Sequence, residues 1–150
     1  MEYYEDLEVG DVVEYGSKTV TKSEILEFAE QFDPQPFHLD EEAAEDSVFG
    51  GLAASGWHTA SICMRLLVDG VLSEQASQGA AGVDELRWKR PVRPGDTLSI
   101  EVEMLSKEPH PHDPTRGRMR TELRGYNQDG EEVISWIGLG MIERREPATE

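Results

Sequence analysis

The chain is short of basic residues, of cysteine and of long apolar runs. Fourteen lysines and arginines stand against 31 acids, a formal charge of -17. That balance excludes a general nucleic-acid binder, because phosphate neutralisation supplies the largest part of such affinity. Acidic excess favours solubility, and with only four lysines it is also what a salt-adapted cytoplasm would select. The single cysteine, Cys63, cannot form an internal disulfide and lies in an apolar run, so it reads as a small buried hydrophobe. No apolar run approaches the roughly 20 residues that a membrane span needs. The opening "MEYYEDLEVG" is acidic where a signal or transit peptide is basic, so the expectation is a cytoplasmic protein with no membrane partner. No repeat, low-complexity tract or long linker divides the 150 residues. One domain is expected, long enough to bury a core without disulfide or metal.

What is present changes period along the chain. "VGDVVEYGSKTV", residues 9–20, mixes β-branched residues with glycine and predicts a strand pair or one interrupted strand. In "TKSEILEFAEQF" the positions Ile25, Leu26, Phe28, Ala29 and Phe32 recur at helical spacing, and Thr21 with Glu24 forms a capping-box pattern. Pro34 and Pro36 stop that helix near Phe32. A short acidic helical turn is expected at 40–46. From Trp57 to Leu72 the chain is apolar on nearly every side apart from His58 and Arg65, the pattern of a helix enclosed by other structure. Strands are expected at about 83–92, 97–107, 117–127 and 132–143, with turn signals at "RPGD" and "NQDG" between neighbours. In the last of these Val133, Ser135, Ile137, Leu139 and Met141 share one face, with glycines opposite where something packs closely. Strands following one buried helix predict an α+β fold, a curved antiparallel sheet wrapped around that helix.

Three stretches could carry chemistry. In "FDPQPFHLD" Asp33 and His38 would lie about 17 Å apart in a fully extended chain, so they can share a substrate only if the loop bends. The flanking prolines fix φ and lower the entropy lost in holding such a bend. An acid and an imidazole converging on one water could perform general acid and base chemistry; equally, Asp-Pro is an ordinary helix stop. "SGWHTAS" places Gly56 at the start of the apolar helix, where unpaired amides and the positive dipole end could receive a carbonyl oxygen; a glycine needed only for close packing would look the same. "ELRWKRPVRPGD" gathers Arg87, Lys89, Arg90 and Arg93, either a seat for nucleotide phosphates or surface charge balancing nearby acids. A fourth stretch, "HPHDPTRGR", reads as a stiff exposed loop because of Pro109, Pro111 and Pro114, and no supporting ligands are arranged around His110, His112 and Asp113 to make a metal site.

Taken together these residues resemble the MaoC-like dehydratases, the (R)-specific enoyl-CoA hydratase branch of the hotdog superfamily. The likeness runs from about Leu7 to Glu143: "VGD" near the start, Asp-x-x-Pro-x-His followed by "HLDEEAA", "FGG" before the central helix, and "RPVRPGDTL" ahead of the later strands. The resemblance implies a single hotdog domain with Asp33 and His38 as the catalytic pair and Gly56 as the amide that binds the thioester carbonyl. It implies reversible addition of water to a trans-2-enoyl thioester of CoA or acyl carrier protein, with no metal or cofactor, and a homodimer or dimer of dimers. Gln35 stands where asparagine is common and Ser55 where histidine is common. Both departures bear on substrate choice and rate more than on reaction type. With Trp57 and the four basic residues, they form the expected substrate-binding set. Hotdog folds also support acyl-CoA thioesterases and noncatalytic acyl-thioester-binding subunits, which remain the alternatives.

Overall fold

Thr21 caps the first helix as its sequence predicts. Its hydroxyl accepts from the Glu24 amide at 3.1 Å, and the Glu24 carboxylate accepts from the Thr21 amide at 3.1 Å. The computed structural model describes residues 1–149. It contains helices α1 (Lys22–Phe32), α2 (Pro36–Leu39), α3 (Glu41–Glu45) and α4 (Gly56–Gly70), and strands β1 (Val12–Thr19), β2 (Ser77–Trp88), β3 (Thr97–Pro109), β4 (Arg116–Tyr126) and β5 (Glu132–Glu143). The strands form one curved antiparallel sheet in the order β1-β3-β4-β5-β2, with α4 packed across it.

The expected order of elements is present, with local differences that have physical causes. Residues 9–20 form one strand, not a pair, and its register with β3 breaks between Tyr15 and Lys18, around Gly16 at φ 87°. β2 begins at Ser77, six residues before the expected start. "SQGAAG" has low strand propensity, but its backbone pairs with the glycine-containing part of β5, Ala80 opposite Gly140 and Val83 opposite Gly138. The strand stops at Trp88, ahead of Pro91, whose nitrogen has no hydrogen to give a ladder. "NQDG" does join paired strands, β4 and β5, whereas "RPGD" carries the chain from the β2 edge to β3 beside the opposite edge. The segment that starts at the second proline is one helical turn, α2, with Pro36 at the first helical position where its missing N–H costs nothing.

The core forms where α4 meets the sheet. Ile62, Cys63 and Leu66 pack against Leu98, Ile100, Leu123, Ile134 and Trp136, and each large apolar side chain buried there contributes roughly 1.5–3 kcal/mol. Gly125 of β4 makes the seat possible, since a Cβ there would come within 2.9 Å of the Cys63 sulfur and 2.6 Å of Ile134. His58, on another face of α4, is buried and stacks on Phe28 at 4.7 Å, with the rings near parallel at 6°. Burial holds its pKa below the ordinary value, against the opposing pull of the Glu24 carboxylate. The helix is enclosed on fewer sides than its composition predicts: Trp57, Ser61, Met64 and Val68, at spacings of four, three and four, form an exposed stripe. On the outer part of the sheet, Arg124 reaches the carboxylates of Glu101, Glu103 and Glu122, which lets three acids sit on adjacent strands.

Cys63 is wholly buried, and that burial pushes its thiol up to about 12. The folded protein should therefore resist alkylation by maleimide at neutral pH, and one thiol should become reactive along the same denaturant curve that reports loss of structure.

Candidate active site

The bend demanded of the loop is built from backbone hydrogen bonds. Asp33 caps the C-terminus of α1, its amide donating to Ala29 at 2.9 Å. The Gln35 amide then donates back to the Asp33 carbonyl at 2.8 Å, closing a tight turn around Pro34, and α2 follows at once. His38 therefore returns to Asp33: Nε2 lies 3.4 Å from Asp33 Oδ2, with the two side chains only 6% and 17% exposed.

The environment assigns a protonation pattern to each member. His38 Nδ1 is 2.6 Å from the carbonyl oxygen of Ala53. A carbonyl can only accept, so Nδ1 carries a hydrogen and Nε2 is the nitrogen turned to the carboxylate. Phe37 lies edge-on to the ring at 4.6 Å and Phe49 tilts against it at 5.9 Å, which excludes water from its sides. Asp33 accepts from Gln35 Nε2 at 2.6 Å on Oδ1 and from the Ser55 hydroxyl at 2.7 Å on Oδ2. Burial raises the pKa of this carboxyl, but the two hydrogen bonds and the nearby imidazole outweigh it, and the net direction is down. The carboxylate is thus held ionised mainly by neutral donors. In the neutral imidazole, Nε2 and Oδ2 are both acceptors. A water molecule donating one hydrogen to each matches them.

Ser55 also caps α4, its hydroxyl accepting from the Trp57 amide at 3.3 Å. Gly56, first residue of that helix, has an amide with no acceptor inside it. The ring of Trp88 lies over Gly56, so a Cβ at this position would collide with it, and Trp88 Nε1 donates to the Gly56 carbonyl at 2.8 Å. Asp33, His38, Gln35, Gly56, Trp57 and Trp88 all border one cleft of about 600 Å³. A second, more apolar cavity between the C-terminal half of α4 and β5 shares none of these residues.

The four basic residues separate. Lys89 and Arg90 reach the rim of the cleft, paired with Glu132 and Glu131. Arg87 is exposed on β2, bonded to the neighbouring Leu86 carbonyl, and does not border the cleft. Arg93 is half-buried behind it, its guanidinium donating to the carbonyls of Phe49, Gly51 and Leu52. Its charge is spent on the loop that carries Ala53 and Ser55. The His110 ring accepts from the amides of His112 and Asp113 and so shapes its own loop. Among the described residues no group of three or more His, Cys, Asp or Glu is placed to hold a metal ion. Sequence reasoning missed the Ala53 carbonyl, which no side chain announces, and the roles of Phe37, Phe49 and Trp88, whose aromatic character does not reveal what they face.

With this geometry in view, a family model described as MaoC like domain matches residues 6–125. The chain belongs to the MaoC-like family. It is 34% identical over 141 residues to YdeM of Bacillus subtilis (93% of this chain, 98% of that one). It is 33% identical over 135 residues to a protein of Methylorubrum extorquens named 3-hydroxybutyryl-CoA dehydratase (88% and 78%). The crystal structure of a MaoC-like dehydratase from Rhodospirillum rubrum superposes with a TM-score of 0.90 at 46% identity, covering 97% of this chain and 99% of that one. The sheet and its central helix are accordingly the hotdog fold.

Replacing Arg93 with methionine should lower thermal stability and turnover together, because the loop carrying the partner of His38 loses its anchor. A change confined to KM for a nucleotide-bearing substrate, with stability intact, would assign Arg93 to phosphate binding instead.

Proposed function

We propose that this protein is a hydratase or dehydratase acting on acyl thioesters, adding water reversibly to a trans-2-enoyl-CoA to give a 3-hydroxyacyl-CoA. The observation that carries the reading is the Asp33 Oδ2 to His38 Nε2 approach of 3.4 Å in a cleft that also holds the first amide of α4. The similarity to a protein named 3-hydroxybutyryl-CoA dehydratase supports it.

In this reading the thioester carbonyl accepts from the Gly56 amide at the positive end of α4, which draws electron density from C3. Water held by Asp33 and His38 attacks C3 while the pair takes one of its protons and delivers a proton to C2. Dehydration runs the same path backwards. The two groups lie 3.4 Å apart and act on the water as a pair, so the base and acid roles are not divided between them. Gln35 and Ser55 serve here as donors to the Asp33 carboxylate, so the differences at these positions leave the acid supported. Lys89 and Arg90, at the rim, are the residues of the basic cluster best placed to meet CoA phosphates, and Trp57 flanks the mouth.

The assembly proposed is a homodimer. β2 lies at the edge of the sheet, so one side of this 12-residue strand has no strand partner among the described residues. The exposed α4 stripe supplies apolar surface that a second copy would cover.

Purified protein incubated with short and medium trans-2-enoyl-CoA esters should remove the conjugated enoyl thioester absorbance without releasing free thiol. Asp33→Asn should reduce that rate by about 10²–10⁴-fold with the fold retained. Thiol release would assign the chain to the thioesterases, and unchanged turnover in the variant would remove Asp33 from the mechanism.

Because its pKa is lowered, the Asp33 carboxylate persists below the ordinary Asp range. Its contribution to stability is complete above the unfolded-state value and is lost as pH falls through the folded one. The acidic limb of a kcat profile that requires the carboxylate should therefore fall below the ordinary Asp range. Charge removal at Lys89 and Arg90 together should raise KM for a CoA ester more than for the matching pantetheine ester; equal effects on both would reject phosphate contact.

A further inference from the structure

Trp88 ends β2 at the sheet edge, 32 residues after Gly56 in sequence, yet its indole N–H donates to the Gly56 carbonyl at 2.8 Å. That carbonyl belongs to the peptide unit whose N–H is the amide of Trp57, and this amide donates to Ser55 Oγ at 3.3 Å. Ser55 Oγ in turn donates to Asp33 Oδ2 at 2.7 Å. Every hydrogen in the series points the same way, from the indole to the carboxylate. Ser55 is fully buried, so solvent does not compete for its hydroxyl.

We propose that Trp88 is a positioning residue for Asp33, acting through the Gly56–Trp57 peptide and the Ser55 hydroxyl to strengthen the hydrogen bond that holds the carboxylate. A donor on an amide oxygen draws electron density from the amide nitrogen, making its N–H a better donor. A hydroxyl that accepts a stronger bond becomes a better donor itself. Such series strengthen by about 10–30% per bond in a low-dielectric setting. The ring contributes separately: by occupying the space a side chain at position 56 would need, it holds the start of α4 against the sheet edge. The same edge strand thus reaches the acid of the cleft. The catalytic meaning of this inference rests on the hydratase reading; the hydrogen-bond series does not.

The deciding experiment follows the Asp33 carboxyl carbon by NMR titration in the intact protein, in Trp88→Phe, in Ser55→Ala and in the double variant. Kinetics with an enoyl-CoA ester accompany it. Trp88→Phe keeps an aromatic ring and removes the donor, and since Trp88 is 47% exposed the fold should survive, checked by the amide spectrum. The expected result is an upward shift of the Asp33 midpoint by about 0.2–0.5 pH unit, with kcat falling about two- to fivefold and KM nearly unchanged. Ser55→Ala should shift the midpoint further, and Trp88→Phe should add nothing in that background, because the series passes through Ser55. No shift in Trp88→Phe, or an equal shift with and without Ser55, would overturn the proposal. If the intact protein fails to hydrate the ester, the titration still decides the hydrogen-bond series. An active protein whose Asp33 midpoint ignores position 88 would sink the series and leave the hydratase reading standing.

Discussion

Ile62, Cys63 and Leu66 press one face of α4 into the sheet, and Gly125 leaves the space that the Cys63 sulfur requires. Close-packed interiors do not slide, so this seat determines how far the helix start projects. Everything in the cleft takes its position from that projection. Ser55 and Gly56 stand at the helix start, the segment before them presents the Ala53 carbonyl to His38, and Arg93 ties down the carbonyls just upstream. Helix α1 ends at Asp33, close enough for its carboxylate to meet the Ser55 hydroxyl. A packing constraint in the core therefore becomes a distance between a carboxylate and an imidazole.

Electrostatics then decide what those groups are. In a chain carrying a formal charge of -17, the obvious way to keep a carboxylate ionised would be a nearby lysine or arginine. None does so here. Neutral donors from Gln35 and Ser55 hold Asp33 down, and the cation-forming group beside it is His38, which can itself exchange a proton. A permanent cation in that place would stabilise the carboxylate but would offer no proton-accepting nitrogen beside it. Lys89 and Arg90 stay at the rim beside Glu132 and Glu131, and Arg93 faces backbone carbonyls. The basic cluster of the sequence is thus one rim pair, one structural anchor and one surface charge.

Departures between sequence pattern and structure follow one logic. The strand over "SQGAAG" was hidden because small residues have no preference of their own for strand, and the pairing partner that imposes it lies some 60 residues on. The turn of helix α2 was hidden because prolines read as breakers, although Pro36 is tolerated at a first helical position. His58 looked like a polar exception and is a stacked, buried ring. The exposed stripe from Trp57 to Val68 could not be separated from the buried faces of the same helix, because apolar composition does not say which neighbour covers it.

By itself the sequence determined the order of elements, the capped start of α1, the stop before Asp33, the apolar central helix, and the residue types able to form an acid, an imidazole and a carbonyl-binding amide. These follow from local rules: periodicity, capping and the backbone limits of proline and glycine. Only the tertiary structure decided that Asp33 and His38 meet at 3.4 Å, that Ala53 selects the imidazole hydrogen, and that Trp88 covers Gly56. Those are contacts between segments up to 32 residues apart, and no local rule contains the packing that brings them together.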